Sequence, residues 1–241
     1  MTLVVEQPSY VPWLGYFDLM RQADDWVWYD DVQYTRRDWR NRNRLARAGA
    51  PSWVTVPVRD AGSSQLICEV EIDRGRRWER KHLETFRHCC GDAPYFAPVN
   101  DLYGDLLARR HELLADLVIA LGEAIAGLLG ITPRFLRSSR LAGLTGAKDE
   151  RLLAVCRRLG SRVYLSGPSA RAYIRPAAFA AAGVELRYVV YDYPPYARGH
   201  LPFVPGLSIL DALAWMGPAA TSDFLARHGR QEPGEPGPGE R

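Results

Sequence analysis

Glu6 and Gln7 stand where an apolar run, residues 2–5, gives way to Pro8-Ser9-Tyr10-Val11-Pro12. A carboxylate and an amide at the end of a short buried strand can supply a general base and a directed hydrogen bond. Asp30, Asp31 and Gln33 repeat the arrangement after residues 26–29, and Ser166 follows the run at 163–165. In an open parallel sheet, ligands bind beyond the carboxyl ends of the strands, where loops and helix N-termini converge on one crevice. Asp30 or Glu6 is therefore the expected base, with Gln7, Asp31, Gln33 and Ser166 as binding groups. Replacing Asp30 by alanine is expected to leave folding intact and abolish turnover. The plainer reading, that strand ends are polar because loops are wet, stands beside this one for each residue.

Nine of the chain's 26 aromatic residues fall between Tyr10 and Trp39. Rings beside amides and carboxylates suit a sugar, a nucleobase or a carrier arm, which need flat apolar contact and a few directed hydrogen bonds. Tyr10, Trp13 and Tyr16 are candidates for that role as much as for core packing, whereas Phe17, Trp26 and Trp28 read as core. Between Arg36 and Arg47 there are six arginines and one acid, interleaved with Trp39, Asn41 and Asn43. The segment Asp38-Trp39-Arg40-Asn41-Arg42-Asn43-Arg44 could present guanidinium forks and amides to phosphate or pyrophosphate, or be a solvated basic loop. Lys81-His82 is a candidate cation and proton-transfer pair if it faces a cleft, and inert on an exposed helix. HExxH, P-loop and GxSxG motifs are absent, so zinc-protease, P-loop NTPase and α/β-hydrolase readings have no support, and no metal ligand is expected among the candidate residues.

The elements that would position these groups follow a strand-helix-strand rhythm. Residues 2–5 read as a strand, 14–20 as a helix and 26–29 as a second strand, the dimension of a parallel βαβ unit. Residues 53–58 and 66–72 alternate and are expected to pair antiparallel across a turn at Ala61-Gly62-Ser63-Ser64. Helices are expected at 78–90 and, as one long helix or a pair, at 99–129. The rhythm then resumes with strands at 135–136, 163–165 and 184–191 and helices at 149–159 and 177–182. A final helix at 208–216 has Ser208 as its N-cap. The fold class is thus α/β, a three-layer Rossmann-like arrangement with a mostly parallel sheet, an inserted antiparallel strand pair and a central helical segment. Residues 1–230 are expected to form a single domain, and 231–241 a disordered Pro/Gly/Glu tail.

At 241 residues the chain is long enough to bury a core without a disulfide or metal. The 31 basic and 28 acidic side chains balance to +3, which argues against a dedicated nucleic-acid binder or a membrane-surface protein. All but two of the basic residues are arginine, the exceptions being Lys81 and Lys148. Cys68, Cys89, Cys90 and Cys156 lack CxxC spacing and read as free thiols of a reducing cytosol. The apolar stretch at 114–131 contains Asp116 and Glu123 and reads as a core helix. With no signal-peptide pattern at Met1, a cytoplasmic location is expected.

Several ordered blocks resemble one family. They are Gln7-Pro8-Ser9-Tyr10-Val11-Pro12-Trp13-Leu14-Gly15-Tyr16-Phe17, Asp30-Asp31-Val32-Gln33-Tyr34, Asn41-Arg42-Asn43, Tyr164-Leu165-Ser166-Gly167-Pro168 and Leu207-Ser208-Ile209-Leu210-Asp211. Together they resemble the WbqC-like protein family over nearly the whole chain. The resemblance implies a bacterial cytosolic protein of polysaccharide or natural-product biosynthesis, transferring a glycyl-like aminoacyl or acyl group to an amine. It adds Tyr34 to the candidate binding residues. Where family members carry a histidine before the Gln-Pro pair, this chain has Glu6. A weaker similarity links the first loop to the nucleotidyltransferase-like superfamily, with Trp13-Leu14-Gly15-Tyr16 in place of its His-x-Gly-His element.

The expected catalytic set is therefore Asp30, Glu6 and His82, with Arg42 and Lys81 holding phosphate. No cofactor is required, and the donor would be a phosphopantetheine-bound group, hence a carrier-protein partner, or a nucleotide. The alternatives are a nucleotidyltransferase or ATP-dependent ligase in the same crevice, or a non-catalytic module binding a nucleotide-sugar or carrier protein.

Overall fold

The structure is a computed structural model describing residues 1–59 and 64–234. Its first unit is the expected βαβ: strand β1 (Thr2–Glu6), helix α1 (Leu14–Arg21) and strand β2 (Asp25–Trp28), with β1 and β2 parallel and Val4 opposite Trp26. Four further strands complete the main sheet: β5 (Arg134–Arg137), β6 (Val163–Ser166), β7 (Glu185–Val190) and β8 (Arg230–Pro233). The order is β5-β2-β1-β6-β7-β8, parallel throughout except for β8, which runs antiparallel to β7.

Side chains alternate across this sheet and so define three layers. Val4, Trp26, Trp28, Leu165 and Val189 face one side, where they meet α1 together with α2 (Trp78–Cys90), α3 (Phe96–Ala108), α4 (Leu114–Leu128), α7 (Ile209–Met216) and α8 (Pro218–His228). Leu3, Val5, Val27, Tyr164, Leu186 and Tyr188 face the other, beneath α5 (Asp149–Leu159) and α6 (Pro176–Ala181). The two acids inside the apolar helix α4 both have partners: Asp116 accepts from Arg137 Nη1 at 2.5 Å, and Glu123 accepts from Trp28 Nε1 at 3.0 Å. Gly122 lets α4 pack directly on Trp28, whose ring a Cβ there would meet at 2.6 Å. Ser208 caps α7 as expected, accepting from the Leu210 amide at 3.3 Å.

The inserted antiparallel pair lies one segment earlier than the sequence pattern places it. It is formed by β3 (Arg42–Arg47) and β4 (Ala50–Thr55), so the arginine-rich connection is itself a strand. Ala48 and Gly49 both have positive φ, 46° and 83°, as a two-residue hairpin turn requires. The strand expected at 66–72 is broken by a 3-10 turn at Ile67–Glu69 and, among the described residues, meets the chain after β4 through a bridge between Val58 and Ile72. Most of the turn expected at Ala61-Gly62-Ser63-Ser64 lies outside the described residues. The expected 231–241 tail is also divided. Its first residues complete β8 against β7, and residues 235–241 lie outside the described part.

Candidate functional site

In this strand order β1 sends its crossover toward β2, while β6 lies on its other side and leads to β7. The chain direction therefore switches between β1 and β6, and at such a point the loops diverge and leave a crevice at the carboxyl ends of the strands. A pocket of about 510 Å³ opens there. Glu6 from the end of β1 lines it, as do Gly167, Pro168 and Ser169 after β6 and Tyr191 after β7. Trp13 and Tyr16 at the start of α1, and Trp39, Arg40, Asn43 and Arg44 from the approach to β3 and its first half, complete the walls.

The floor is a charge-balanced cluster. Arg40 Nε donates to Gln7 Oε1 at 2.6 Å, its Nη1 donates to Ser9 Oγ at 2.9 Å, and its Nη2 lies 3.4 Å from Asp38 Oδ2. The Tyr16 hydroxyl donates to the Gln7 carbonyl at 2.9 Å. Burial raises the pKa of Glu6 from its ordinary value, with the Arg40 guanidinium and the Gln7 amide pulling against it. A carboxylate held in this way is more basic than one in water, which suits it to removing a proton.

The loop that carries these groups is strained and clamped. Val11 is fully buried with φ of 36°, a left-handed conformation that a β-branched residue rarely adopts. Ser208 Oγ donates to the Val11 carbonyl at 2.7 Å, and the Ile209 amide donates to Pro12 at 2.8 Å. Gly15 is the next requirement, because a Cβ there would lie 2.3 Å from the Trp13 ring. A further clamp holds the hairpin against α7. Arg198, fully buried, pairs with Asp211 at 2.8 Å and donates to the Ala46 carbonyl at 2.6 Å, while the Tyr196 hydroxyl donates to Asp211 at 2.6 Å.

At the rim, Trp39 and Trp53 are 42 % and 45 % exposed, with ring centroids 5.7 Å apart. Arg42 lies over Trp53 at 4.3 Å, and Arg44 lies within 5.8 Å of both rings. The pocket mouth thus combines flat aromatic surface with guanidinium charge, a pairing suited to an anionic ligand with a planar or apolar part.

Of the residues expected from the sequence, Glu6, Trp13, Tyr16 and Asn43 line the pocket, and Gln7 lies beneath it through Arg40. Asn43 and Asn41 turn their amide nitrogens to the frame, donating to Tyr10 O at 3.1 Å and Val56 O at 2.8 Å. Ser166 is buried directly before the Gly167-Pro168-Ser169 wall.

Asp30 occupies a different setting from the crevice expected for it. Fully buried, it accepts from Arg137 Nε at 2.7 Å, from the Ser139 amide at 3.0 Å and from the Ser138 and Ser139 hydroxyls at 3.2 and 2.9 Å. Every oxygen is committed to fastening β2 to the turn after β5. Asp31 is likewise held by Arg151 and by Ser138 Oγ. Gln33 forms a bridge with Leu66, and the Tyr34 amide donates to Gln65 O at 2.8 Å.

His82 and Tyr10 meet in the core rather than a cleft, with Tyr10 Oη 2.8 Å from His82 Nδ1 and 2.6 Å from Tyr103 Oη. Burial lowers the His82 pKa to about 4, against a hydrogen bond to the Thr55 carbonyl, with Lys81 lowering it further. Lys81 itself projects from the exposed face of α2. Burial also pushes the Cys89 and Cys90 thiols upward, away from nucleophilic character. Among the described residues, no group of three or more His, Cys, Asp or Glu side chains is placed to hold a metal ion, and no helix is long and apolar enough to cross a membrane.

Ser9, Ser169 and Tyr191 line the site without having been named as candidates. Arg40 and Arg44 belong to the arginine-rich 38–44 segment read for phosphate contact, and Arg42, on the same face of β3 as Arg44, stacks over Trp53 beside the pocket.

Comparison with known proteins shows the family. The family model of the WbqC-like protein family matches residues 7–223, and the chain belongs to that family. The uncharacterized protein Rv1507c of Mycobacterium tuberculosis is 38 % identical over 232 residues, covering 95 % of this chain and 99 % of the relative. No solved structure gives a significant match.

Proposed function

We propose that the pocket between β1 and β6 catalyses transfer of an aminoacyl or acyl group to an amine, with Glu6 as general base. The observation carrying this reading is the Glu6 carboxylate at the switch-point crevice, made more basic by burial and flanked by Arg40 and Tyr16. The amine nitrogen attacks the donor carbonyl and the C–N bond forms as the C–S or C–O bond breaks; Glu6 takes the amine proton and returns it to the departing thiolate or alkoxide, while a nucleotide phosphate released from an acyl-nucleotide donor leaves as the anion. Arg40 and Arg44 supply positive charge for the donor phosphate, as in a phosphopantetheine-bound or nucleotide donor, and for the developing oxyanion. Glu6 thus takes the base role shared with Asp30 in the sequence reading, since the Asp30 oxygens are occupied in the frame.

The test is a panel of aminoacyl- and acyl-pantetheine or carrier-protein donors with amino-sugar acceptors, read by mass spectrometry for the amide product. Product with the wild type and none with Glu6→Gln supports the reading, and equal turnover by both removes Glu6 from the chemistry. Pyrophosphate release from ATP in the same mixtures would instead support a nucleotidyltransferase or ligase.

A further inference from the structure

A second cavity, about 170 Å³, adjoins the Glu6 pocket and shares Trp13, Tyr191 and Gly206 with it. The chemistry of its lining is different. It is built from Leu14, Pro194, Phe203, Val204, Pro205 and Leu207, with the rings of Tyr193 and Tyr196, and contains no charged residue. Both tyrosine hydroxyls are tied off behind the wall, Tyr193 donating to Asp18 at 2.7 Å and Tyr196 to Asp211 at 2.6 Å, so the rings remain as apolar surface. The partition between the two spaces is the edge-to-face pair of Trp13 and Tyr191, with centroids 4.8 Å apart. At the junction Gly206, with φ of 67°, has no side chain to fill the passage, and a Cβ there would stand 3.4 Å from Arg44 Nη2.

We propose that this side cavity is a binding subsite for an apolar chain or ring of about six carbons, the size of group that a dry cavity of about 150 Å³ accepts, carried by a substrate whose anionic part lies at Arg40 and Arg44. The inference rests on the small-molecule reading of the Glu6 pocket and deepens it by naming the substrate class. The ligand is amphipathic, and its apolar substituent is larger than a glycyl group. The geometry supports this because the two spaces adjoin across Trp13, Tyr191 and Gly206, the first carrying charged groups and the second none. An occupant spanning them meets the Arg44 guanidinium at one end and removes apolar surface from water at the other.

The test uses a monoalkyl phosphate series, ethyl to octyl, titrated calorimetrically against the full chain. Affinity is expected to rise about fourfold per methylene, corresponding to about 0.8 kcal/mol per buried CH₂, and to level off once the cavity is full. A flat series overturns the proposal. Val204→Trp, which fills the cavity from a loop position, is expected to keep the ethyl phosphate affinity and lose the chain-length dependence; a dependence that survives overturns the proposal. If that variant does not fold, Phe203→Ala decides, because the enlarged cavity should move the plateau to longer chains and an unchanged plateau counts against the subsite. These readouts contain no acyl transfer. A chain-length dependence in a protein that makes no amide would reject the transferase activity and leave the subsite standing.

Discussion

The Ser208 hydroxyl and the Val11 carbonyl are 2.7 Å apart, joining the N-cap of α7 to the most strained residue of the loop that forms the pocket floor. The two lie almost two hundred residues apart in sequence, so the α7 cap acts as a fastener for the first loop as well as a helix start. Ser208→Ala removes both the cap and the clamp. It is expected to lower stability by about 1–3 kcal/mol, measured by urea denaturation, and to weaken alkyl phosphate binding because Pro12 and Trp13 lose their fixed positions.

Gly15→Ala tests the same loop from its other end. The added Cβ would meet the Trp13 ring at 2.3 Å, so the indole must swing from the partition between the two cavities. The expected result is a folded protein with a changed tryptophan emission and at least tenfold weaker ligand binding. Unchanged binding would show that Trp13 contributes nothing there.

Glu6→Gln should separate catalysis from stability. Turnover is expected to fall by about 10²–10⁴, the usual contribution of a positioned base. Because the folded-state pKa is raised, the folded chain holds the Glu6 proton to higher pH than the unfolded chain does, and that contribution to stability is lost as pH rises through the folded value. The glutamine variant is therefore expected to melt at or above the wild-type temperature at pH 7 to 8, while retaining ligand.

Asp30→Asn is expected to behave in the opposite sense. It removes the charge of the buried partner of Arg137, leaving the partly exposed Asp116, and upsets the contacts to Ser138 and Ser139. Breaking such a buried pair costs about 3–5 kcal/mol, so a large fall in the denaturation midpoint is expected, with catalysis per folded molecule little changed. A stable but inactive variant would return Asp30 to the chemistry.

His82 gives the fold an acid-sensitive core. Its ordinary pKa of 6.5 falls to about 4 in the native protein, so between these values the unfolded chain binds a proton that the folded chain refuses. Stability is then complete above about pH 6.5 and declines by about 3 kcal/mol as pH falls toward 4. Denaturation midpoints at pH 7 and pH 5 should show this decline for the wild type and a shallower one for His82→Gln.

The parts of this arrangement that show in the sequence are those with a local signature. Residues 2–29 carry the βαβ rhythm, and Ser208 followed by Asp211 marks the start of α7. Glu6 is legible because it ends a strand beside a proline-bounded loop. The β3–β4 hairpin is harder to see because Arg42, Arg44 and Arg47 mask a period-two pattern whose inward members are Asn43 and Leu45. Asp30 shows why a carboxylate at a strand end is ambiguous. Its partner Arg137 is more than a hundred residues away, and only the fold brings them together.

The short pairing of β8 with β7 has a further consequence for the molecule as a whole. Without those residues the backbone amides and carbonyls of Glu185–Val190 would form an open sheet border, the kind of surface on which chains template one another into aggregates. A polar, proline-containing segment takes that place and offers a poor template in its turn. The carboxy-terminal stretch is thus a selvedge, finishing one side of the sheet so that it does not grow.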